Sequence, residues 1–299
     1  MPVYHSSYPR PPQARVVDYR SELLAAVDDL PPLPLVLNRV MQLLNDTSSS
    51  SAQIAAMVEK DTVLSGSVLR CVNSAYYGLS STVTSIRHAV SMLGFGTVRN
   101  LALAFSLRRM IAGSRVPPPR LYARYSQHSL STAILCADLA GYLEVDDAEA
   151  AFASGLFHDI GRLLILATFP ELMQQIHEQY ETTERSYEEL ERAALTLSHP
   201  EVSKLVMQKW QLPECIQNAV EFHHRPAEAP HAPERPFTLA EVVQAADLYV
   251  NEYGLDLLPS KRPTPVSADR AFEALGLRQK MPEVLEKFRH QYEGIRTLF

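Results

Sequence analysis

Apolar residues that return every three to four positions constrain this chain more than any other feature, because a helix buries a stripe of that period and a strand does not. Val36, Val40, Leu43 and Leu44 form one stripe, and Ile54, Met57 and Val58 form the next. Val63, Leu64, Val68 and Leu69 follow, then Ile86, Ala89, Val90 and Leu93. Ser51, Asp61 and Ser85 stand where helix N-caps are needed. Gly94 and Gly96 interrupt the pattern ahead of a strongly apolar helix over about residues 98–111. Few segments alternate with period two. The pattern predicts an all-α chain.

Pro117, Pro118 and Pro119 cannot continue a helix and stiffen residues 113–119 into a linker, which divides the bundle into two lobes. Beyond it, one long helix is predicted over residues 122–143. Another starts at Asp146 or Asp147 and runs through Phe157 and His158. Residues 186–197 are helical, with Glu188, Glu189 and Glu191 crowding the first turn, where the helix dipole favours acids. Helices over 198–210 and 213–223 precede a proline-bearing loop at 225–236. A helix over 237–253, a second linker at 259–265, a short amphipathic segment at 268–275 and a last helix over about 282–298 complete the chain. The expected division is a flexible tail over 1–18, an N-terminal helical lobe over 19–116, a second lobe over 117–255, and linker plus C-terminal helices over 256–299. Ser48 to Ser51 read as a polar turn.

A hydrophobic fraction of 46% and a charged fraction of 21% over 299 residues exclude a disordered chain. The net charge of −6 supplies no basic field for nucleic acid, and Arg99, Arg108 and Arg109 read as a solvated helix face. Cys71, Cys136 and Cys215 lie far apart without a CxxC pair, as buried thiols of a reducing cytoplasm do. No stretch is read as approaching the roughly 18 apolar residues of a membrane span. The longest candidate, residues 101–107, runs into Arg108 and Arg109, and the N-terminus has no signal-peptide core. A cytoplasmic location without membrane contact is therefore expected.

Phe157-His158-Asp159-Ile160-Gly161 is the sharpest local feature, because apolar runs flank a His-Asp pair whose burial costs several kcal/mol unless it is paired or coordinated. A local hydrogen-bonded pair would satisfy it. So would a metal, since His128, His199, His223, His224 and Asp247 all lie on or at the ends of predicted helices beside apolar residues. Imidazole and carboxylate together suit first-row ions such as Mn, Fe, Ni or Zn, and the two oxygens of Asp159 can serve a pair of ions. Adjacent helical residues point about 100° apart, which favours His223 over His224 as a ligand. His199, beside Pro200, could instead cap a helix, and His224, beside Arg225, could stand in solvent. His5, His88, His177, His231 and His290 fall outside the pattern and read as surface or packing residues.

His128, His158-Asp159 and Asp247 resemble the H…HD…D ligand set of the HD metal-phosphohydrolase superfamily, and His199 with His223-His224 resembles the additional ligands of its binuclear HD-GYP branch. The resemblance implies one or two divalent ions, with Asp159 bridging and catalytic if the chain is an enzyme. Arg162 stands where HD-GYP proteins usually carry Lys, and the resemblance implies that it balances substrate phosphate. The chain departs from HD-GYP at Arg225-Pro226-Ala227-Glu228-Ala229-Pro230, where the glycines and tyrosine of the cyclic-dinucleotide segment are missing. Arg124 stands where some members place a glutamate for a third metal, so a trinuclear centre is not expected.

The first half is similar to a different branch. Leu30-Pro31-Pro32-Leu33-Pro34, Asp61, Leu69-Arg70-Cys71-Val72-Asn73-Ser74-Ala75, Ser85-Ile86, Ala89-Val90 and Leu93-Gly94 resemble the HDOD signature, in order and spacing, over roughly residues 25–225. These residues suit helix caps and turns, which are structural roles. The resemblance implies a two-lobed helical bundle with an HD-type core in the C-terminal lobe. It implies a regulatory or scaffolding protein of signal transduction, with protein partners and a partner or ligand groove between the lobes. The alternative is a metal-dependent phosphohydrolase acting on a cyclic dinucleotide, another nucleotide or another phosphoester.

Overall fold

The computed structural model describes residues 18–44, 51–74, 77–112, 118–231, 233–264 and 266–296. Residues 1–17 of the expected tail, most of the Ser48 to Ser51 turn and residues 113–117 of the expected linker lie outside these. The described residues are helical throughout their regular structure, and one isolated bridge joins Val145 to Phe237.

The first helices are α1 (Tyr19–Asp28), α2 (Leu35–Leu44), α3 (Ser51–Glu59), α4 (Thr62–Val72), α5 (Ile86–Leu93) and α6 (Phe95–Ala112). Asp61 caps α4 by accepting from Leu64 N at 3.1 Å, and Ser85 caps α5 by accepting from His88 N at 3.2 Å. Gly94 ends α5 at φ +83°, a conformation that strains any residue with a Cβ. Ile54, Val58, Leu64, Val68, Ile86, Val90, Val98 and Leu101 fill the core of α2–α6. α1 differs: its main contacts are with the second half of the chain, although it falls within the 19–116 grouping. Tyr19 meets the Phe169 ring edge-on at 5.2 Å, Arg20 bonds Thr196 Oγ1 at 3.1 Å, and Trp210 Nε1 donates to Pro31 O at 3.0 Å.

The second lobe comprises α7 (Pro119–Ala140), α8 (Ala151–Phe157), α9 (Ile160–Thr168), α10 (Pro170–Thr182), α11 (Tyr187–Leu195), α12 (His199–Lys209), α13 (Glu214–Phe222) and α14 (Leu239–Glu252). α15 (Ala268–Ala274) packs on α14 and α16 (Met281–Ile295) on α7. α7 and α8 approach most closely at Gly155, where a Cβ would meet Ala133 Cα and Cys136 Sγ at 2.8 Å. That approach brings His128 on α7 next to His158 at the end of α8.

The helix expected to run through His158 stops at Phe157 and restarts at Ile160. Asp159 sits between at φ −101° and ψ 15°, outside the helical region. The break is held by Ser203 of α12, whose hydroxyl accepts from Gly161 N and donates to His158 O, both at 2.8 Å. A Cβ at Gly161 would lie 2.3 Å from His199 O and 2.5 Å from Ser203 N, so α9 and α12 cross there without room for a side chain.

Two readings of the sequence need correction. Residues 148–168 have the length and apolar composition of a membrane span, although no unbroken apolar run marks them in the sequence. The stretch is broken at His158-Asp159, and most of it is buried inside the helical packing. Arg99 is no part of a solvated basic face. It is buried, pairs with Glu149 at 2.5 Å, and lies over the Phe95 ring at 5.6 Å. Arg109 is engaged by both oxygens of Asp61, at 3.0 and 2.7 Å. Cys71 and Cys136 are buried and Cys215 half-buried, all free, and burial pushes the thiols of Cys71 and Cys215 up to about 12.

Candidate metal centre

The helix ends of the second lobe converge on one point. His128 comes from α7, the His158-Asp159 pair from the α8–α9 break, His199 from the first turn of α12, His223-His224 from the end of α13, and Asp247 from α14. The sequence-predicted ligands are thus brought together, and His128, His158, Asp159, His199, His223 and Asp247 are each buried.

Tautomers follow from the backbone. His128 Nδ1 lies 3.1 Å from Leu255 O, and His158 Nδ1 lies 2.8 Å from Gly155 O. Carbonyls only accept, so each Nδ1 carries a proton, and each Nε2 is the atom turned inward, where it can offer a lone pair to a cation. Those two Nε2 atoms are 3.1 Å apart. Asp247 Oδ1 lies 3.3 and 3.6 Å from them, and Asp159 Oδ2 lies 3.6 and 3.9 Å away. Two ring nitrogens and two carboxylate oxygens so close together are ligand atoms that a shared cation would hold. His128, His158 and Asp159 offer ligand atoms within 4.8 Å of one another, as do His158, His223 and Asp247. The donor set fits a divalent ion.

A second group faces the other oxygen of Asp159. His199 Nε2 lies 3.3 Å from Asp159 Oδ1, which is buried without a hydrogen-bond partner. His223 donates from Nδ1 to Val220 O at 2.6 Å, and its buried Nε2 also has no partner. His223 belongs to two of the candidate ligand groups and His224 to one. His224 Nε2 lies 3.0 Å from His199 Nε2, and the ligand atoms of His199, His223 and His224 lie within 4.8 Å of one another. α13 ends at Phe222, and His223 follows it still in the helical region, at φ −60° and ψ −23°.

His199 does not cap α12, because Ser198 stands at the cap. Instead Glu191 of α11 accepts through Oε2 from both His199 N and His199 Nδ1, each at 2.7 Å. In the sequence Glu191 is one of several acids in a first turn, yet it is fully buried. The signal lay in the pattern: Tyr187, Glu191 and Leu195 recur at intervals of four on the inward stripe of α11. Arg162 also joins this group. Its guanidinium turns inward, with Nη1 3.3 Å from Asp159 Oδ2 and Nη2 2.9 Å from His199 Nε2, and it lies over the Tyr187 ring at 5.1 Å.

Electrostatics sort the group. Burial favours a neutral Asp159, but Arg162, His158, His199 and His128 outweigh it and hold the carboxyl well below its usual range. Burial works against Asp247 too, and the adjoining His128 and His158 rings keep it ionised. Burial opposes charge on His158, yet Asp159 and Asp247 raise its pKa. His199 is pushed down by burial and then by Arg162, and His224 falls to about 3 through burial and His199. Burial raises Glu191 to about 7.

A groove of about 870 Å³ runs across α2, α3, α4 and α6 on the N-terminal lobe, with Pro34, Leu35, Met57 and Val63 on its walls and Arg39 and Lys60 on its rim. Leu35 is 87% exposed and Val63 65%.

The HDOD domain profile matches residues 30–226. The fold is similar to that of an HDOD domain protein of unknown function from Geobacter sulfurreducens, with a TM-score of 0.78 and 21% identity over 94% of this chain and 97% of that one. A candidate phosphohydrolase from Shewanella amazonensis matches with a TM-score of 0.69 and 25% identity over 93% and 98%. A candidate signal transduction protein from Marinobacter aquaeolei matches with a TM-score of 0.71 and 20% identity over 94% and 65%. An uncharacterized protein of Treponema pallidum is 24% identical over 80% of this chain, which spans 45% of that protein's length.

Proposed function

The chain belongs to the HDOD family, and from that premise we propose that it is a regulatory or scaffolding protein of signal transduction built around an HD-type metal centre. Burial carries this reading. The side chains of His128, His158, Asp159 and Asp247 are 1%, 0%, 2% and 7% exposed. A centre closed in this way suits an ion that locks helix ends together, or whose loss signals, better than one that must admit a phosphoester. His128, His158, Asp159 and Asp247 would hold the ion, and Mn, Fe, Ni or Zn suits their imidazole and carboxylate donors. Such an ion supplies Lewis acidity when bound. The chain's own part is to orient the rings through Leu255 O and Gly155 O and to exclude water.

The groove on α2–α4 supports a protein partner, because its apolar walls are exposed and lie apart from the buried centre. The candidate signal transduction protein of Marinobacter agrees with this setting. The inward-facing Arg99 supports leaving nucleic acid out, and three free thiols support a cytoplasmic location.

One observation favours the second reading, a phosphohydrolase acting on a nucleotide or other phosphoester. The whole second group, His199, His223 and His224, stands beside Asp159 Oδ1, and a structural ion does not need it. The name of the Shewanella protein points the same way. A Mn- or Fe-loaded sample assayed on bis(p-nitrophenyl) phosphate separates the two. The regulatory reading predicts background turnover, equal in wild type and Asp159→Ala. Turnover that disappears in Asp159→Ala would overturn it.

A further inference from the structure

Arg162 occupies the place where a second ion would have to be. Its Nη2 lies 2.9 Å from His199 Nε2 and 3.1 Å from His199 Nδ1, and its Nη1 lies 3.3 Å from Asp159 Oδ2. An ion held by His199 and Asp159 would sit about 2 Å from each, within a few ångströms of the guanidinium. The arginine has little freedom to withdraw. The Tyr187 ring covers it at 5.1 Å, Glu191 Oε1 lies 3.8 Å from Nε, and the side chain is 12% exposed. It also cannot shed its charge, because guanidinium stays protonated in proteins.

Charge balance points the same way. Asp159, Asp247 and Glu191 supply at most one negative charge each, and Arg162 cancels one of them. The remainder matches a single divalent cation. Two divalent ions beside the fixed guanidinium would leave a buried excess of positive charge, which is strongly unfavourable.

Resting on the metal-centre reading above, we propose that the centre takes one divalent ion, at His128, His158, Asp159 and Asp247, and that the Arg162 guanidinium stands in for the second. The role rests on the guanidinium being held in place by Tyr187 and Glu191, so the chain would keep the histidines of a two-ion site while binding one ion.

Equilibrium dialysis of the full chain against Mn(II), with bound metal counted by elemental analysis and its state read by electron paramagnetic resonance, tests this. Wild type is expected to bind one ion with the signal of an isolated Mn(II). Arg162→Gln is expected to bind two, with the signal of an exchange-coupled pair. Two coupled ions in wild type, or a single ion in a folded Arg162→Gln, would overturn the proposal and leave the metal centre standing. No ion in wild type would overturn the metal centre and this inference with it. A test independent of how the Arg162 variant folds compares His128→Ala with His199→Ala. The first should abolish binding and the second should retain the ion, and the reverse result would place the ion on the wrong side of Asp159.

Discussion

Asn73 and Asp159 both end or interrupt a helix, one in each lobe, and they use their polar atoms in opposite ways. The Asn73 amide donates to Leu69 O at 2.9 Å and Val83 O at 2.8 Å, and its oxygen accepts from Val83 N at 2.7 Å. Everything it offers is spent on the backbone. Asp159 keeps one buried oxygen without a hydrogen-bond partner and turns both toward rings and a guanidinium. The same contrast runs through the lobes. In α2–α6 the signature residues cap helices and pin a loop, whereas in α7–α14 they face one another. The helix-capping signature and the candidate centre therefore lie in different halves of the chain, although the family match over residues 30–226 spans both.

If the second lobe is built around its polar centre, changes that disturb the α8–α9 break should cost most. Gly161→Ala forces a Cβ against the backbone of α12. A loss of about 3 kcal/mol is expected, measured by urea unfolding, with bound metal lost alongside. A near-neutral result would show that the crossing can relax. Asn73→Ala removes bonds that hold a loop on the other lobe, and should cost about 1–2 kcal/mol while leaving metal content unchanged. A coupled loss of metal would break the separation between the lobes. Gly66→Ala, in the middle of α4 with open space around it, should stabilise by up to about 1 kcal/mol. A destabilised protein would show that α4 depends on something other than helix propensity.

Much of this was legible in the sequence because its causes are local. Asp61 and Ser85 cap where a polar residue precedes an apolar stripe, and Gly94 ends α5. The ligands stand out because a histidine or aspartate among apolar helical residues must be paired or coordinated once it is buried. What stays hidden depends on tertiary contact. The break at His158-Asp159 is made by Ser203, from a helix distant in sequence. Glu191 satisfies two rules at once, as an acid near a helix N-terminus and as a member of the buried stripe, and only packing shows which prevails. Arg99 looks like an ordinary surface cation until its carboxylate partner, Glu149, is placed in space, and the pairing of Arg162 with Asp159 shows only there.

The most direct test is an anomalous-diffraction map from crystals grown with Mn(II) and measured well above the Mn absorption edge. The account predicts one strong peak among His128 Nε2, His158 Nε2, Asp159 and Asp247, about 2.0–2.3 Å from its ligand atoms. A map with no peak there, in crystals that carry Mn(II) elsewhere on the protein, would contradict it.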